Sequence, residues 1–203
     1  MLEILGKSTS INVRKVLWLC AELRLDYQQG HADGSAPTDL AALNPNAQVP
    51  VLREGHFVLW ESNSICRYLA AREQRHDLLP EAPQARARVE QWMDWQATEL
   101  NTAWRYAFMA GVRRHPDYTD AGAAAASLAQ WNRLMTLLDQ QLARTGAHVA
   151  GADFTLADIV LGLSTQRWRA TPGDKPVLPA VQAWFERLRP RPGFARHVDN
   201  GVP

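Results

Sequence analysis

The stretch Leu79-Pro80-Glu81-Ala82-Pro83 divides this chain of 203 residues into two parts with different hydrophobic periods. Proline cannot donate a backbone hydrogen bond and pushes the residue before it out of the helical region, so two prolines this close stop a helix or a strand. Ahead of them, short apolar runs of strand length alternate with helical spacing. Behind them only the three-four spacing of amphipathic helices recurs. The expectation is a mixed α/β domain over residues 1–78, a linker over 79–84 and an all-helical domain over 85–203.

In the first part, Leu2 to Leu5 reads as a strand. Val13, Val16, Leu17, Cys20 and Ala21 mark a helix starting near Ile11. Asp26 to Gln29 reads as a second strand and Gly30 to Pro37 as a loop, with at most a short helix over Asp39 to Leu43. Asn44-Pro45-Asn46 is a turn signal. Val49 to Leu52 and Phe57 to Leu59 flank Glu54-Gly55 as a hairpin, and Ser62 to Ala71 closes the part as a helix. In the second part, one long helix is expected over Gln84 to Ala110 and another through Leu128, Trp131, Met135, Leu138 and Leu142. A third starts at Thr155 and a fourth follows Pro179. Thr155 and Asp158 have the spacing of a capping box, with Phe154 and Ile159 as a hydrophobic staple.

Composition narrows the function classes. A formal net charge of +1 argues against nucleic acid or an anionic membrane as partner. No run of about 18 uncharged apolar residues is present, and the first residues do not read as a secretory signal. Cys20 and Cys66 form neither a CxxC pair nor a metal-ligand spacing, so they read as reduced, buried thiols of a cytoplasmic protein, with no metal site expected.

Three segments carry candidate chemistry. If the Val49-Pro50 bond is cis, the chain turns sharply and turns the backbone N–H and C=O of Val49 outward, where they can pair with an extended peptide. Otherwise Pro50 is a plain loop proline before a strand. Glu61-Ser62 sits between a strand and a helix. A helix N-terminus favours a carboxylate and Glu61 an ammonium, which together match an α-amino-acid head. N-capping by Ser62 is the alternative. Ser8-Thr9-Ser10-Ile11-Asn12 places hydroxyls and an amide at the start of the first helix, either for an anion or as a cap. His31 and His56 read as loop residues.

In this order, with the Thr155-Leu156-Ala157-Asp158 box behind them, these segments resemble the cytosolic glutathione transferases, and the sequence is similar to bacterial members near the theta, beta and nu branches. The resemblance implies a thioredoxin-like N-terminal α/β domain followed by an all-α C-terminal helical domain. It implies glutathione as co-substrate, with Val49 before Pro50 pairing with its cysteinyl backbone and Glu61-Ser62 holding its γ-glutamyl head. Gln48 would be a neutral donor to the glycine end, where an earlier contact falls near Ser35. Gln96, in Trp95-Gln96, would reach glutathione across a homodimer.

No tyrosine or cysteine stands in the first strand-to-helix loop, so the resemblance points to the serine type, in which Ser10 stands four residues before Arg14. In a bacterial thiol-reductase-like group a Thr and an Asn near this junction contact the sulfur instead, and Ser10 and Asn12 fall on those positions. Lowering a thiol pKa by ~2 units needs roughly 2.7 kcal/mol. A hydrogen bond to a charged group contributes about 1.5–3 kcal/mol and a helix N-terminus roughly 0.3–1. Ser10 with the helix dipole therefore suffices, and Asn12 is the next candidate. A small hydrophobic electrophile is expected between the domains, against Trp104, Arg105, Phe108 and Trp168, although any of these aromatics could equally be core. The activity implied is glutathione transfer. Glutathione-dependent disulfide reduction or peroxidation, and non-enzymatic binding, are the alternatives.

Overall fold

A computed structural model describes residues 1–31 and 40–202. The expected glycine-end contact at Ser35 and most of the expected loop over Gly30 to Pro37 lie outside them. Contacts within the chain form two compact units, residues 1–80 with 190–202 and residues 81–189.

The first unit holds a sheet of β1 (Leu2–Leu5), β2 (Gln28–Gly30), β3 (Val51–Glu54) and β4 (Phe57–Trp60) in the order β2-β1-β3-β4. β1 runs parallel to β2 and antiparallel to β3, and β3 and β4 form the expected hairpin around Gly55. β2 begins two residues later than Asp26, because its register against Glu3, Ile4 and Leu5 is set by pairing. Helix α1 (Ile11–Leu23) buries Val13, Val16, Leu17 and Cys20 in the core of this unit and ends at Arg24 in the left-handed conformation. α2 is a single turn (Leu40–Leu43) and α3 (Ser62–Arg72) packs against α1.

Gly6 links β1 to α1. With φ at +132°, an added Cβ would lie 2.6 Å from Val13 Cγ2 and 2.8 Å from Val49 Cβ, so glycine alone lets the link pass this close to the loop before Pro50.

The second unit is helical. The single helix expected over Gln84 to Ala110 is three pieces, α4 (Pro83–Trp95), a π-helical turn over Gln96–Leu100 and α5 (Asn101–Gly111). A π turn keeps the helical direction while shifting the register by one residue, so a three-four pattern reads straight through it. α6 (Ala121–Thr145), α7 (Leu156–Ala170) and α8 (Pro179–Leu188) follow, with Asp120 capping α6 through its carboxylate.

The start of α7 is as its sequence requires. Asp158 is buried, and its two oxygens accept from Thr155 N (2.9 Å), Thr155 Oγ1 (3.1 Å), Val149 N (3.0 Å) and Trp184 Nε1 (2.8 Å). The capping box is thus also the junction between α7, α8 and the loop before them.

The segment after α8 returns to the first unit instead of ending the helical one. There α9 (Phe194–His197) packs on α1, with Trp18 and Phe194 edge to face at 5.7 Å. The buried Glu22 carboxylate takes Arg191 at 2.6 and 3.1 Å and Trp18 Nε1 at 3.2 Å.

Candidate active site

The N-terminus of α1 forms one wall. Ser10 is its N-cap residue, with its carbonyl accepting Arg14 N at 3.0 Å and its hydroxyl making no cap bond. The first-turn amides therefore keep their positive end for a ligand. Asn12 is the second residue of the helix, half-buried, and among the described residues its amide has no hydrogen-bond partner. Ser8 is tied back to β2, with its Oγ 2.9 Å from Gln29 Nε2.

The loop into β3 forms the second wall. Asn44 is buried and organises it, with Oδ1 accepting Asn46 N at 3.0 Å and Nδ2 donating to the Gln48 carbonyl at 2.8 Å. Ala47 N closes the turn on the Asn44 carbonyl at 2.8 Å with a φ of +49°. The Val49-Pro50 bond is cis. Among the described residues the Val49 backbone has no hydrogen-bond partner.

The junction of β4 with α3 forms the third wall. Here the helix is capped by Glu61, not by Ser62. Glu61 Oε1 accepts Asn63 N at 3.0 Å and lies 3.5 Å from Ser62 Oγ. Lys15, buried on α1, donates to Asn63 Oδ1 at 3.3 Å and so ties α1 to the first turn of α3.

These walls enclose a cavity of about 330 Å³ lined by Asn12, Asn44, Asn46, Gln48, Val49, Pro50, Trp60, Glu61 and Ser62. Six of the sequence candidates converge there: Asn12, Gln48, Val49, Pro50, Glu61 and Ser62. Ser10 is not in the lining. Arg14 is buried and its Nη1 donates to the Val202 carbonyl at 2.7 Å and to Asn200 Oδ1 at 3.3 Å. Asn44, Asn46 and Trp60 were missed as lining residues. The only signal for the first two was the turn pattern Asn-Pro-Asn, and Trp60 had none beyond its position before Glu61.

The remaining candidates lie elsewhere. Gln96 is buried in the π turn, where its Nε2 donates to Asn101 Oδ1 at 2.9 Å and Trp104 Nε1 meets the same oxygen at 2.9 Å. Its amide faces the interior of the helical unit, with the residue 1% exposed. Trp104 and Phe108 form one cluster in the second unit, with ring centroids 5.3 Å apart. Arg167, which sequence reasoning did not select, lies over both rings at 4.6 and 4.1 Å. Arg105 is exposed, and Trp168 belongs to a different cavity, with its Nε1 on Asn132 Oδ1 at 2.8 Å. The four therefore do not line one pocket. Trp131 and Trp184 are core residues, as their helical register requires.

Burial pushes the thiols of Cys20 and Cys66 up to about 12, so neither is a nucleophile at neutral pH. Among the described residues no cluster of His, Cys, Asp or Glu suits a metal ion.

The family described as "Glutathione S-transferase, N-terminal domain" matches residues 9–72, and "Glutathione S-transferase, C-terminal domain" matches residues 102–187. The chain is 36% identical to glutathione S-transferase GstB of Escherichia coli over 98% of both chains. It is 39% identical to the theta class glutathione S-transferase of Xanthomonas axonopodis pv. citri with glutathione bound. That match has a TM-score of 0.88 and covers 97% of this chain and 96% of that one. Glutathione transferase F7 of Populus trichocarpa, at 24% identity and a TM-score of 0.86 over the full length of both chains, shares the fold. With its cis bond before Pro50, its helix capped at Glu61 and its capping box at Thr155, the chain belongs to the glutathione S-transferase family.

Proposed function

We propose that this chain binds glutathione in the 330 Å³ cavity and holds its sulfur as a thiolate for attack on small hydrophobic electrophiles. One observation carries the reading: Asn12, Val49-Pro50 and Glu61-Ser62 line the same cavity although they come from three separate stretches of chain. The γ-glutamyl carboxylate would meet the N-terminus of α3 and the Ser62 hydroxyl, and its ammonium the Glu61 carboxylate. The cysteinyl backbone would pair with the N–H and C=O of Val49. Its sulfur would then face the N-terminus of α1, where the free Asn12 amide and the first-turn N–H groups stabilise a negative charge. Gln48, exposed at the rim, is the neutral donor for the glycine end.

A second reading is favoured by Asn12, rather than Ser10, lining the cavity. In it the bound thiolate attacks a disulfide sulfur, forms a mixed disulfide and releases the other half as a thiol. Both readings carry the family expectation of a homodimer in a reducing, cytoplasmic setting, and conjugation would make the first a detoxifying activity.

Calorimetric titration with glutathione tests the binding, and turnover of an aryl halide, a hydroperoxide and a mixed disulfide separates the reactions. Saturable binding with turnover of at least one is expected. No binding heat at millimolar glutathione, with no turnover of any of the three, overturns the proposal.

A further inference from the structure

Behind the cavity, one turn further along α1, a buried lysine joins two of its walls. Asn12 lines the cavity, and Lys15, three residues later, lies on the same face of α1. Lys15 is 1% exposed, and its ammonium donates to Asn63 Oδ1 at 3.3 Å. Asn63 is buried too, and its backbone N–H donates to Glu61 Oε1 at 3.0 Å. Glu61 lines the cavity, whereas Lys15 and Asn63 do not. A chain of contacts thus runs from the interior of α1, through the first turn of α3, to a carboxylate at the cavity wall.

An ammonium in this position is costly, because burial strips it of its hydration. Apolar replacements of buried ionic groups are often neutral or stabilising, so stability alone does not account for Lys15. Methionine, unbranched and of nearly the same length, could fill the space, but it has no donor for Asn63 Oδ1. Burial pushes the thiol of Cys66, one turn after Asn63, upward, while Lys15 pulls it down and Glu61 pushes it up. Both charges therefore act at one buried point of the contact between α1 and α3. Glu61 sits at a φ of +73°, outside the helical and strand regions, so its neighbours must hold it. Its Oε1 takes the Asn63 N–H, with Ser62 Oγ 3.5 Å away. Among the described residues its Oε2 has no hydrogen-bond partner and is left for a ligand.

We infer that Lys15 is a positioning residue for ammonium recognition: through Asn63 it holds the Glu61 carboxylate so that Oε2 meets the α-ammonium of the γ-glutamyl end. The inference rests on the reading of this cavity as the glutathione site. Lys15 touches no part of the ligand and acts only through the first turn of α3. Its effect falls on the amine of glutathione, and so on KM and not on kcat.

The test compares two ligands by calorimetric titration of the full-length chain: glutathione, and N-glutaryl-cysteinylglycine, which is glutathione without its α-amine. Lys15→Met should weaken glutathione about tenfold and the deaminated ligand far less, a coupling of the size that contacting groups show. KM for glutathione should rise, with kcat and the pKa of the bound thiol unchanged. Lys15→Gln, whose amide can still donate toward Asn63, should recover part of the affinity. It carries the same ligand comparison if Lys15→Met does not fold. Loosened packing alone would weaken both ligands by one factor. Equal weakening of the two ligands, or unchanged glutathione affinity in Lys15→Met, overturns the inference. An unaltered chain that binds no glutathione overturns the reading of the cavity itself, which keeps the two failures apart.

Discussion

Glu61 caps the helix that starts one residue after it, accepting the backbone N–H of Asn63 at 3.0 Å from a backbone whose φ is +73°. A non-glycine residue at positive φ costs of order 1–3 kcal/mol, and here that cost is borne at the rim of the candidate site. Glu61→Ala should lose about 1 kcal/mol of stability through the missing cap, and at least tenfold in glutathione affinity through the missing acceptor. Urea unfolding and calorimetry measure the two separately. Glu61→Gln should retain part of both, because its amide oxygen can still accept from Asn63.

Asn12 and Ser10 make opposite predictions. A hydrogen bond to a charged group contributes about 1.5–3 kcal/mol, so Asn12→Ala should raise the pKa of the bound glutathione thiol and lower kcat/KM about 10- to 100-fold. Ser10→Ala should leave both nearly unchanged, since Ser10 is absent from the cavity lining. The thiolate absorbance of the bound complex against pH reads the difference directly. An unaltered profile in Asn12→Ala would assign the sulfur contact elsewhere.

Asp158 should be the costliest single carboxylate in the second unit. Its removal as Asp158→Ala orphans the N–H groups of Thr155 and Val149 and the Trp184 indole at once. Each buried unsatisfied donor costs about 1–3 kcal/mol, so a loss of at least ~3 kcal/mol is expected in urea unfolding. Thr155→Ala, which leaves those three donors satisfied, should cost about 1 kcal/mol.

His197 makes stability depend on acid. Burial pushes its pKa down from the ordinary 6.5 to about 4, helped by the guanidinium groups of Arg196 and Arg14. The unfolded chain therefore binds this proton more readily than the folded one. The stabilising effect is full above pH 6.5 and is lost as pH falls toward 4, a window that corresponds to about 3 kcal/mol. His197→Gln should flatten the midpoint-against-pH curve across that window. An equally steep curve in the variant would assign the acid sensitivity to other groups.

Local sequence signals reached far in this chain. The ends of β1, the start of α1, the hairpin at Gly55 and the Thr155–Asp158 box are all short-range patterns, and each is found where the sequence puts it. The two proposed ligand anchors were legible as residues but not as geometry. That Glu61, and not Ser62, caps α3 depends on the backbone conformation at Glu61, which no side-chain pattern reveals. The resemblance implied that Gln96 reaches glutathione across a dimer, whereas Gln96 is buried in a π turn that a three-four pattern reads straight through. Arg14 fits the serine-type spacing four residues after Ser10, yet its guanidinium also donates to a carbonyl nearly the whole chain away. Charged groups with long side chains are placed by tertiary contacts, and spacing does not predict those.

The return of residues 190–202 to the first unit makes the proposed glutathione-binding part discontinuous in sequence. Arg191 meets the Glu22 carboxylate, and Asn200 and the Val202 carbonyl accept from Arg14, so late residues complete the surroundings of two buried charges on α1. A nascent chain that has completed residues 1–80 therefore carries the cavity-lining residues found among the described ones, but not the late segment that packs on the helix bearing Asn12. The order of synthesis thus completes residues 81–189 before the last residues of the proposed glutathione-binding part.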